Sequence, residues 1–523
     1  MRCHRRRIGL LITLAGFLFA GPPVLAQVIT GSSHTLHQTD GFVFPGTEPE
    51  AVGLSSETLR TLGNTVTRWS DEGIIMGAEI LLIKDGKIVL HTSSGWQDQE
   101  SHARLMRNGI FRMRSMTKPL IGTAILMLVE EGRMTLDDPV ARYLPAFDHH
   151  GARTVTVYQL LTHTSGLGDH GSEDIGLPQR ADAYTSLQAL VDDIGKIGTT
   201  RPAGTYKYSD SGSATLGALI AQISGMPAEE FIETRILKPL GMNNTYTHFD
   251  PDSSWAGRMN STYRWIEDSC AFERYWHPQM EQRYPYFRAS GGVYSTVLDY
   301  ARFVTMWMNK GIYDGKRFLT ETTVEMALRS LANDTYGMHW SVPASPIVNG
   351  MPMVFGHGGS DGTMAYAFPA FNTIVLYFTQ SRGRSNRRVF LTDLGRIPEF
   401  YPYVQYRWND IEKVWHEVLN GSDRSHRSAV PAEQLMQYAG TYRHDAFVDE
   451  VIFSNDMLYH SIPECASPVL LHHVTETTFI GRYTCPCVDN IFTITFSLSE
   501  DGKVNQYKIE SNYGWQGVFN RVE

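Results

Sequence analysis

Two groups of strand-patterned apolar runs stand far apart in this 523-residue chain, and the interval between them reads as helix. The first group is Gly77-Ala-Glu-Ile-Leu-Leu-Ile-Lys84 and Lys87-Ile-Val-Leu-His91, joined by Asp85-Gly86, a two-residue turn that signals a β-hairpin. The second is Tyr336 to Val342, Met353 to His357, Thr363 to Phe368 and Thr373 to Gln380, with Pro369-Ala-Phe-Asn372 turning between the last two. Helical periodicity fills the interval at Pro119 to Glu131, Val157 to Leu161, Ser213 to Ser224, Ala228 to Leu237 and Thr296 to Met308. Strands at both ends of a helical middle predict one α+β unit whose first and last segments share a sheet.

The pattern changes after a predicted helix from Asn409 to Leu419. Asn420-Gly-Ser-Asp-Arg-Ser-His-Arg-Ser428 is polar and aperiodic, and reads as a linker. Beyond it, Gly440 to Arg443, Val448 to Phe453, Met457 to His460, Phe479 to Tyr483, Ile491 to Leu498 and Tyr507 to Ile509 are short strand candidates, which predict a small β-sandwich or barrel. The expected division is a leader at 1–26, the α+β unit at 50–420 and an all-β domain at 430–523.

Met1 to Arg7 is basic, Ile8 to Ala20 is apolar, and Ala26 precedes a plausible cleavage point at Gln27, the pattern of a secretory signal peptide. The apolar run is too short to span a bilayer, so the mature chain is expected to be secreted or periplasmic without a transmembrane anchor. Cys270, Cys465, Cys485 and Cys487 would then meet an oxidising compartment, where four cysteines allow three pairings. Cys485-Pro-Cys487 is too close to bridge itself without strain, which favours pairing one of the two with Cys465. A metal site would want a second closely spaced cysteine pair, and none exists. The formal net charge of −9, more acidic still once Arg2, Arg5, Arg6 and Arg7 are removed, speaks against a basic nucleic-acid face.

Two serines compete as nucleophile. Gly358-Gly-Ser360-Asp-Gly362 fits the nucleophile-elbow pattern, but an elbow needs a helix directly after the serine, and here Thr363 to Phe368 reads as strand. Ser115-Met-Thr-Lys118 instead puts an amine one helical turn from a hydroxyl, ahead of the apolar run Leu120 to Val129. Pro119 suits a first helical turn, which sets the predicted helix start at about Ser115. A Ser and a Lys three apart are commonplace, and alone they read as a helix cap with a solvated lysine. Two other motifs give them company: Tyr208-Ser-Asp210, in a loop that opens a helix, and His357-Gly-Gly359-Ser360, a strand end whose glycines let backbone approach a ligand.

With these motifs the chain resembles the serine β-lactamase and penicillin-binding-protein superfamily, in its class C β-lactamase-related esterase and peptidase branch. The likeness runs from about Val52 to Gln380. It includes Phe111-Arg-Met-Arg-Ser-Met-Thr-Lys-Pro119, Glu130-Glu-Gly-Arg-Met-Thr-Leu-Asp-Asp-Pro139, Gln159-Leu-Leu-Thr-His-Thr-Ser-Gly-Leu167, Leu237-Lys-Pro-Leu-Gly-Met242 and Ala289-Ser-Gly-Gly-Val-Tyr-Ser295. The segment from Tyr438 resembles the lipocalin-like β-domain often attached to such hydrolases. The resemblance implies a β-lactamase/transpeptidase-like fold, Ser115 as nucleophile, and Lys118 with Tyr208 as the base pair. It also implies an oxyanion hole from the Ser115 and Ser360 amides, with Gly359 beside it, and His357 where the lactamases keep a lysine. It implies no metal or organic cofactor.

Asp210, where many relatives have asparagine, would favour the protonated form of Lys118 and leave Tyr208 as the base. His357 replaces a permanent cation with a group mostly neutral at pH 7, which weakens recognition of a substrate carboxylate and points towards esters. The expected function is thus an exported serine hydrolase acting on small or medium esters through an acyl-enzyme. A D-amino-acid peptidase or β-lactam hydrolase, an acyltransferase, and a non-catalytic binding protein of the same fold are the alternatives. Oligomeric state cannot be read. His163 reads as a buried structural histidine, and His149-His150 lacks metal-ligand spacing. For the aromatic cluster of Trp265, Tyr275, Trp276, Tyr284 and Tyr286, an acyl pocket and the packing of a long insertion both stay open.

Overall fold

The computed structural model describes residues 44–385, except 267–268, 333–334 and 344–346, then 387 and 390, and most of 432–522. The leader at 1–26, the helix at 409–419 and the linker at 420–428 lie outside the described residues.

The hairpin forms as read. β1 (Gly77–Lys84) and β2 (Lys87–Asp98) pair around Asp85 and Gly86, both at positive φ, the conformation a tight hairpin turn demands. β3 (Ala103–Arg104) and β4 (Phe111–Arg112) precede the helical middle. After it come β5 (Thr262–Ile266), β6 (Ala271–Trp276), β7 (Tyr294–Ser295) and two small hairpins. These hairpins are β8 (Ile312–Tyr313) with β9 (Lys316–Arg317), and β10 (Ile347–Val348) with β11 (Met351–Pro352). β12 (Phe355–Gly358), β13 (Met364–Phe368) and β14 (Thr373–Thr379) complete a six-stranded sheet in the order β12-β13-β14-β1-β2-β3. First and last segments meet directly, β1 against β14, and β12 forms an edge. β15 (Ser381–Arg382) joins β5 and β6 in a separate sheet.

Alternation along these strands builds two cores. Leu81, Ile83, Ala365, Leu376 and Phe378 face the large helical side, whereas Ile80, Leu82, Tyr366, Val375 and Tyr377 face the other. α1 (Ser56–Asp71) covers that second face with Leu59, Leu62, Val66 and Trp69, and Ser55 caps its start by accepting the Thr58 N–H. The helical side is built from α2 (Lys118–Glu130), α3 (Val157–Leu161), α4 (Leu187–Ile197), α5 (Asp210–Ser224), α6 (Ala228–Ile232), α7 (Val297–Met308) and α8 (Glu321–Ala327). α2 is buried on every side from Lys118 to Leu128, which makes it the axis of this half.

Several expectations need correction. Ser115 lies in a single 3-10 turn, Arg114–Thr117, and α2 starts only at Lys118. The run Tyr336 to Val342 is no strand: Tyr336 and Ser341 make isolated bridges, and His339 at positive φ breaks the extended path. Its buried Tyr336, Met338 and Trp340 belong to a loop pressed into the core, which imitates strand alternation. α1, α4 and α8 carried too many polar and β-branched residues to stand out.

The tail is a closed antiparallel barrel. After α9 (Ala432–Met436) come β16 (Gly440–His444), β17 (Phe447–Ser454), β18 (Met457–Ser461), β19 (Val469–Thr475), β20 (Thr478–Cys485), β21 (Val488–Leu498), β22 (Val504–Ser511) and β23 (Gln516–Arg521). Each strand pairs with the next, and β16 closes on β23, which removes exposed edges. β19 and β23 were not anticipated from sequence. Tyr442, Phe479, Phe496, Tyr507 and Phe519 fill the interior.

Cys270, in the turn between β5 and β6, is disulfide-bonded. The expected pairing of Cys465 with Cys485 or Cys487 lies outside the described side chains. Among the described residues no helix is long and apolar enough to cross a membrane, and no group of His, Cys, Asp or Glu could hold a metal.

Candidate active site

Ser115, Lys118, Tyr208, Asp210, His357, Gly359 and Ser360 come from three distant segments, and the fold brings them to one cavity of about 490 Å³. Ser115, Tyr208, His357, Gly359 and Ser360 line it directly. α2 supplies Lys118 in its first turn, and the 3-10 turn before it aims Ser115 outward. Tyr208 precedes the Ser209 cap of α5, and Asp210 opens that helix. β12 brings His357, and the turn from β12 to β13 brings Gly359 and Ser360. No helix follows Ser360, so the nucleophile-elbow context is absent.

Lys118 is fully buried, with its Nζ 3.4 Å from Ser115 Oγ, 2.6 Å from Asp210 Oδ1 and 3.1 Å from the Ser290 carbonyl. Its ammonium also lies 4.6 Å from the centre of the Tyr208 ring. Burial alone would depress the lysine, but the Asp210 carboxylate and Tyr208 more than offset it, so its pKa rises. Asp210 is held ionised against burial by Lys118 and by Arg288, whose Nη2 is 2.5 Å from Oδ2. Tyr208 lines the cavity beside Ser115, and burial raises its pKa. The site therefore holds one proton on Lys118 and a neutral Tyr208. A base for Ser115 arises when that pair, titrating together, gives one proton up.

Gly359 shows why the His-Gly-Gly-Ser stretch needs glycine. A Cβ there would stand 2.4 Å from the Met113 carbonyl oxygen, so only glycine lets the β12 to β13 turn reach the backbone just before Ser115. Ser115 and Ser360 line the same cavity, and neither backbone N–H donates a hydrogen bond among the described residues. They can donate to an oxygen that gains charge during reaction. His357 shares a 3.0 Å contact between Nε2 and the Tyr336 hydroxyl and another between Nδ1 and the Gly358 carbonyl, both satisfied by a neutral ring protonated on Nδ1.

His163 is buried, accepts the Ser209 N–H at Nδ1, and packs its ring 4.5 Å from Tyr208, with its pKa pushed well down by burial. That is a supporting position. His149 bonds the Gly195 carbonyl. The aromatic cluster packs more than it lines: Trp276 meets Phe249, Trp265 meets Phe272, and the Tyr286 hydroxyl donates to the Ala181 carbonyl.

Sequence reasoning passed over Arg288, the Ser290 carbonyl, Tyr336 and Arg387, each at the site through long-range folding. It also assigned nothing to Arg114 and Asp361, and read Tyr275 only as a member of the aromatic cluster. Arg114 Nε lies 2.6 Å from Asp361 Oδ2, and the Tyr275 hydroxyl lies 2.5 Å from Oδ1. The only visible signals were the blocks that contain Arg114, Ser290 and Asp361.

A serine in a 3-10 turn one turn before the lysine that opens α2, a tyrosine from the helical middle and a glycine turn at a strand end, on a sheet closed by its first and last segments, form the constellation of the serine β-lactamase and penicillin-binding-protein class. The chain belongs to the β-lactamase family, whose model, described as Beta-lactamase, matches residues 62–396. It is 26% identical over 358 residues to Protein Rv1367c of Mycobacterium tuberculosis, covering 59% of this chain and 87% of that one. Among solved structures it resembles an octameric penicillin-binding protein homologue from Pyrococcus abyssi (TM-score 0.54, 19% identity, 88% of this chain and all of that one). It also resembles EstCE1, described as a hydrolase with promiscuous acyltransferase activity (TM-score 0.53, 21% identity, 66% of this chain and 97% of that one). At these identities the two structures speak for the fold.

Proposed function

We propose that this protein is an exported serine hydrolase that forms an acyl-enzyme on Ser115 and acts on small or medium carboxylic esters. The observation that carries the reading is Lys118 Nζ 3.4 Å from Ser115 Oγ, with Ser115, Tyr208 and Ser360 lining one cavity. In acylation Ser115 Oγ bonds to the ester carbonyl carbon and its proton passes to the Lys118 and Tyr208 pair. The tetrahedral oxygen takes hydrogen bonds from the Ser115 and Ser360 amides, and the carbon–oxygen bond to the leaving alcohol breaks as the pair returns a proton to it. Water repeats the sequence on the acyl-enzyme and releases the acid. Export rests on the leader at 1–26, and the disulfide at Cys270 is in keeping with an oxidising compartment.

A second reading has its own observation. His357 removes one cation from the strand, but Arg387 lines the cavity with Nη1 3.1 Å from the Gly359 carbonyl, and Arg382 places Nη1 3.4 Å from Ser360 Oγ. Guanidinium groups beside the oxyanion turn favour a substrate that carries a carboxylate, as β-lactams and peptide C-termini do. Both readings share the covalent step. Brief exposure to a fluorophosphonate followed by peptide mapping should give one adduct on Ser115, absent from Ser115→Ala; an adduct on Ser360 or none would refute it. Neutral and dicarboxylate half-esters of p-nitrophenol, beside a chromogenic cephalosporin, then separate the readings by kcat/KM.

A further inference from the structure

Ser115 and Ser360 line one cavity yet lie far apart in sequence, and amide donors that are to share a hole must be held within about 0.5 Å of their productive positions to work. Immediately beside each stands one member of a buried ion pair. Arg114 precedes Ser115, and Asp361 follows Ser360. Arg114 Nε reaches Asp361 Oδ2 at 2.6 Å, with the carboxylate almost wholly buried. The Tyr275 hydroxyl joins both partners, at 2.5 Å from Asp361 Oδ1 and 3.2 Å from Arg114 Nη2, and Arg382 approaches Oδ1 at 3.2 Å. Arg112 Nε completes the surround at 3.9 Å.

We propose that Arg114, Asp361 and Tyr275 are positioning residues that lock the Ser115 and Ser360 amides into one oxyanion hole. The inference rests on Ser115 being the nucleophile. Arg114 holds φ at +50°, a left-handed conformation that arginine does not favour, so something outside its own backbone keeps it there. The Asp361 carboxylate is the partner in place to do it. Net stability is a poor reason for such a pair, since burying two charges costs about as much as their attraction returns. Fixed geometry is the better one: a displacement of Arg114 would tilt the Ser115 amide, and a displacement of Asp361 the Ser360 amide. Gly359, pressed against the Met113 carbonyl, leaves room for the two segments to touch but supplies no polar link between them. Tyr275 extends the lock to β6, on the excursion that carries the disulfide-bonded Cys270.

The test compares the full-length protein with Asp361→Asn, Arg114→Lys and Tyr275→Phe, all normalised to the serine titrated by a fluorophosphonate at its end point. Loss of a single oxyanion donor lowers turnover about 100- to 1000-fold. Asp361→Asn is expected to lose about 100-fold in kcat per titrated serine with KM changed less than about threefold, and Tyr275→Phe several-fold in the same direction. Inhibition by a trifluoromethyl ketone, whose hemiketal oxygen occupies the hole, should weaken in proportion to kcat/KM. Binding of an unreactive ether analogue should stay constant. Full kcat per titrated serine in Tyr275→Phe and Arg114→Lys, with only thermal stability reduced, would overturn the proposal, and these two variants decide it if Asp361→Asn does not fold. Failure of the wild-type protein to label at Ser115 is a separate result, and would remove the hydrolase reading itself.

Discussion

At the scale of single residues, the charge on Asp210 governs when the site can work. It raises both Lys118 and Tyr208 and so keeps the resting site protonated. A group whose pKa is raised sheds its proton only at higher pH, so kcat/KM should climb into the alkaline range. Asp210→Asn removes the raising charge from both groups, and the rising limb of the pH profile should move to lower pH. A pH series of kcat/KM on one neutral ester checks this, and a limb that stays in place or moves upward contradicts it. The sequence exposed this much because Ser-x-x-Lys and Tyr-x-Asp are short local patterns. It hid Arg288 and the Ser290 carbonyl, which hold Asp210 and Lys118 from another part of the chain.

At the scale of elements, the site is as good as the packing between α2 and α5, because one carries Lys118 and the other opens with Asp210. A Cβ at Gly217 of α5 would stand 2.6 Å from the Cβ of Ala289, the residue before Ser290. Neither group can swing aside, so Gly217→Ala must push α5 or the Ala289 segment away, at about 1–3 kcal/mol for such overpacking. The expected outcome is a lower Tm together with a fall in kcat per titrated serine, as two of the acceptors of Lys118, Asp210 and the Ser290 carbonyl, shift. Gly225→Ala is the matched control. It sits at the end of α5 with φ +81° and open space around it, so it should cost stability by backbone strain alone and leave kcat unchanged. Equal effects of the two variants on kcat would contradict this account. Elements with strong local signals were legible, as α3, α5 and the β1 to β2 hairpin show. The Tyr336 to Val342 loop was not, because its buried alternation arises from packing against the site and not from a ladder.

At the scale of the whole molecule, two hydrophobic systems coexist in one chain. The hydrolase cores contain α1, α2, α5, α7 and both faces of the sheet, whereas Tyr442, Phe479, Phe496, Tyr507 and Phe519 form a cluster of their own inside the closed barrel. The all-β character of the tail was visible in its strand candidates, but closure was not, since β16 and β23 meet across the full length of the tail and β23 left no clear trace in sequence. A barrel closed on itself, with a separate core, should melt as its own cooperative unit. Phe496→Ala removes a buried aromatic ring, a change that costs about 3–5 kcal/mol in well-packed cores. Calorimetry should then show one transition moving down while another stays, and the rate of Ser115 labelling at 25 °C should match the wild-type protein. If the two transitions moved together, or labelling slowed in step with barrel stability, the barrel would be part of what holds the catalytic half in shape, and its interior would have to be counted with the site.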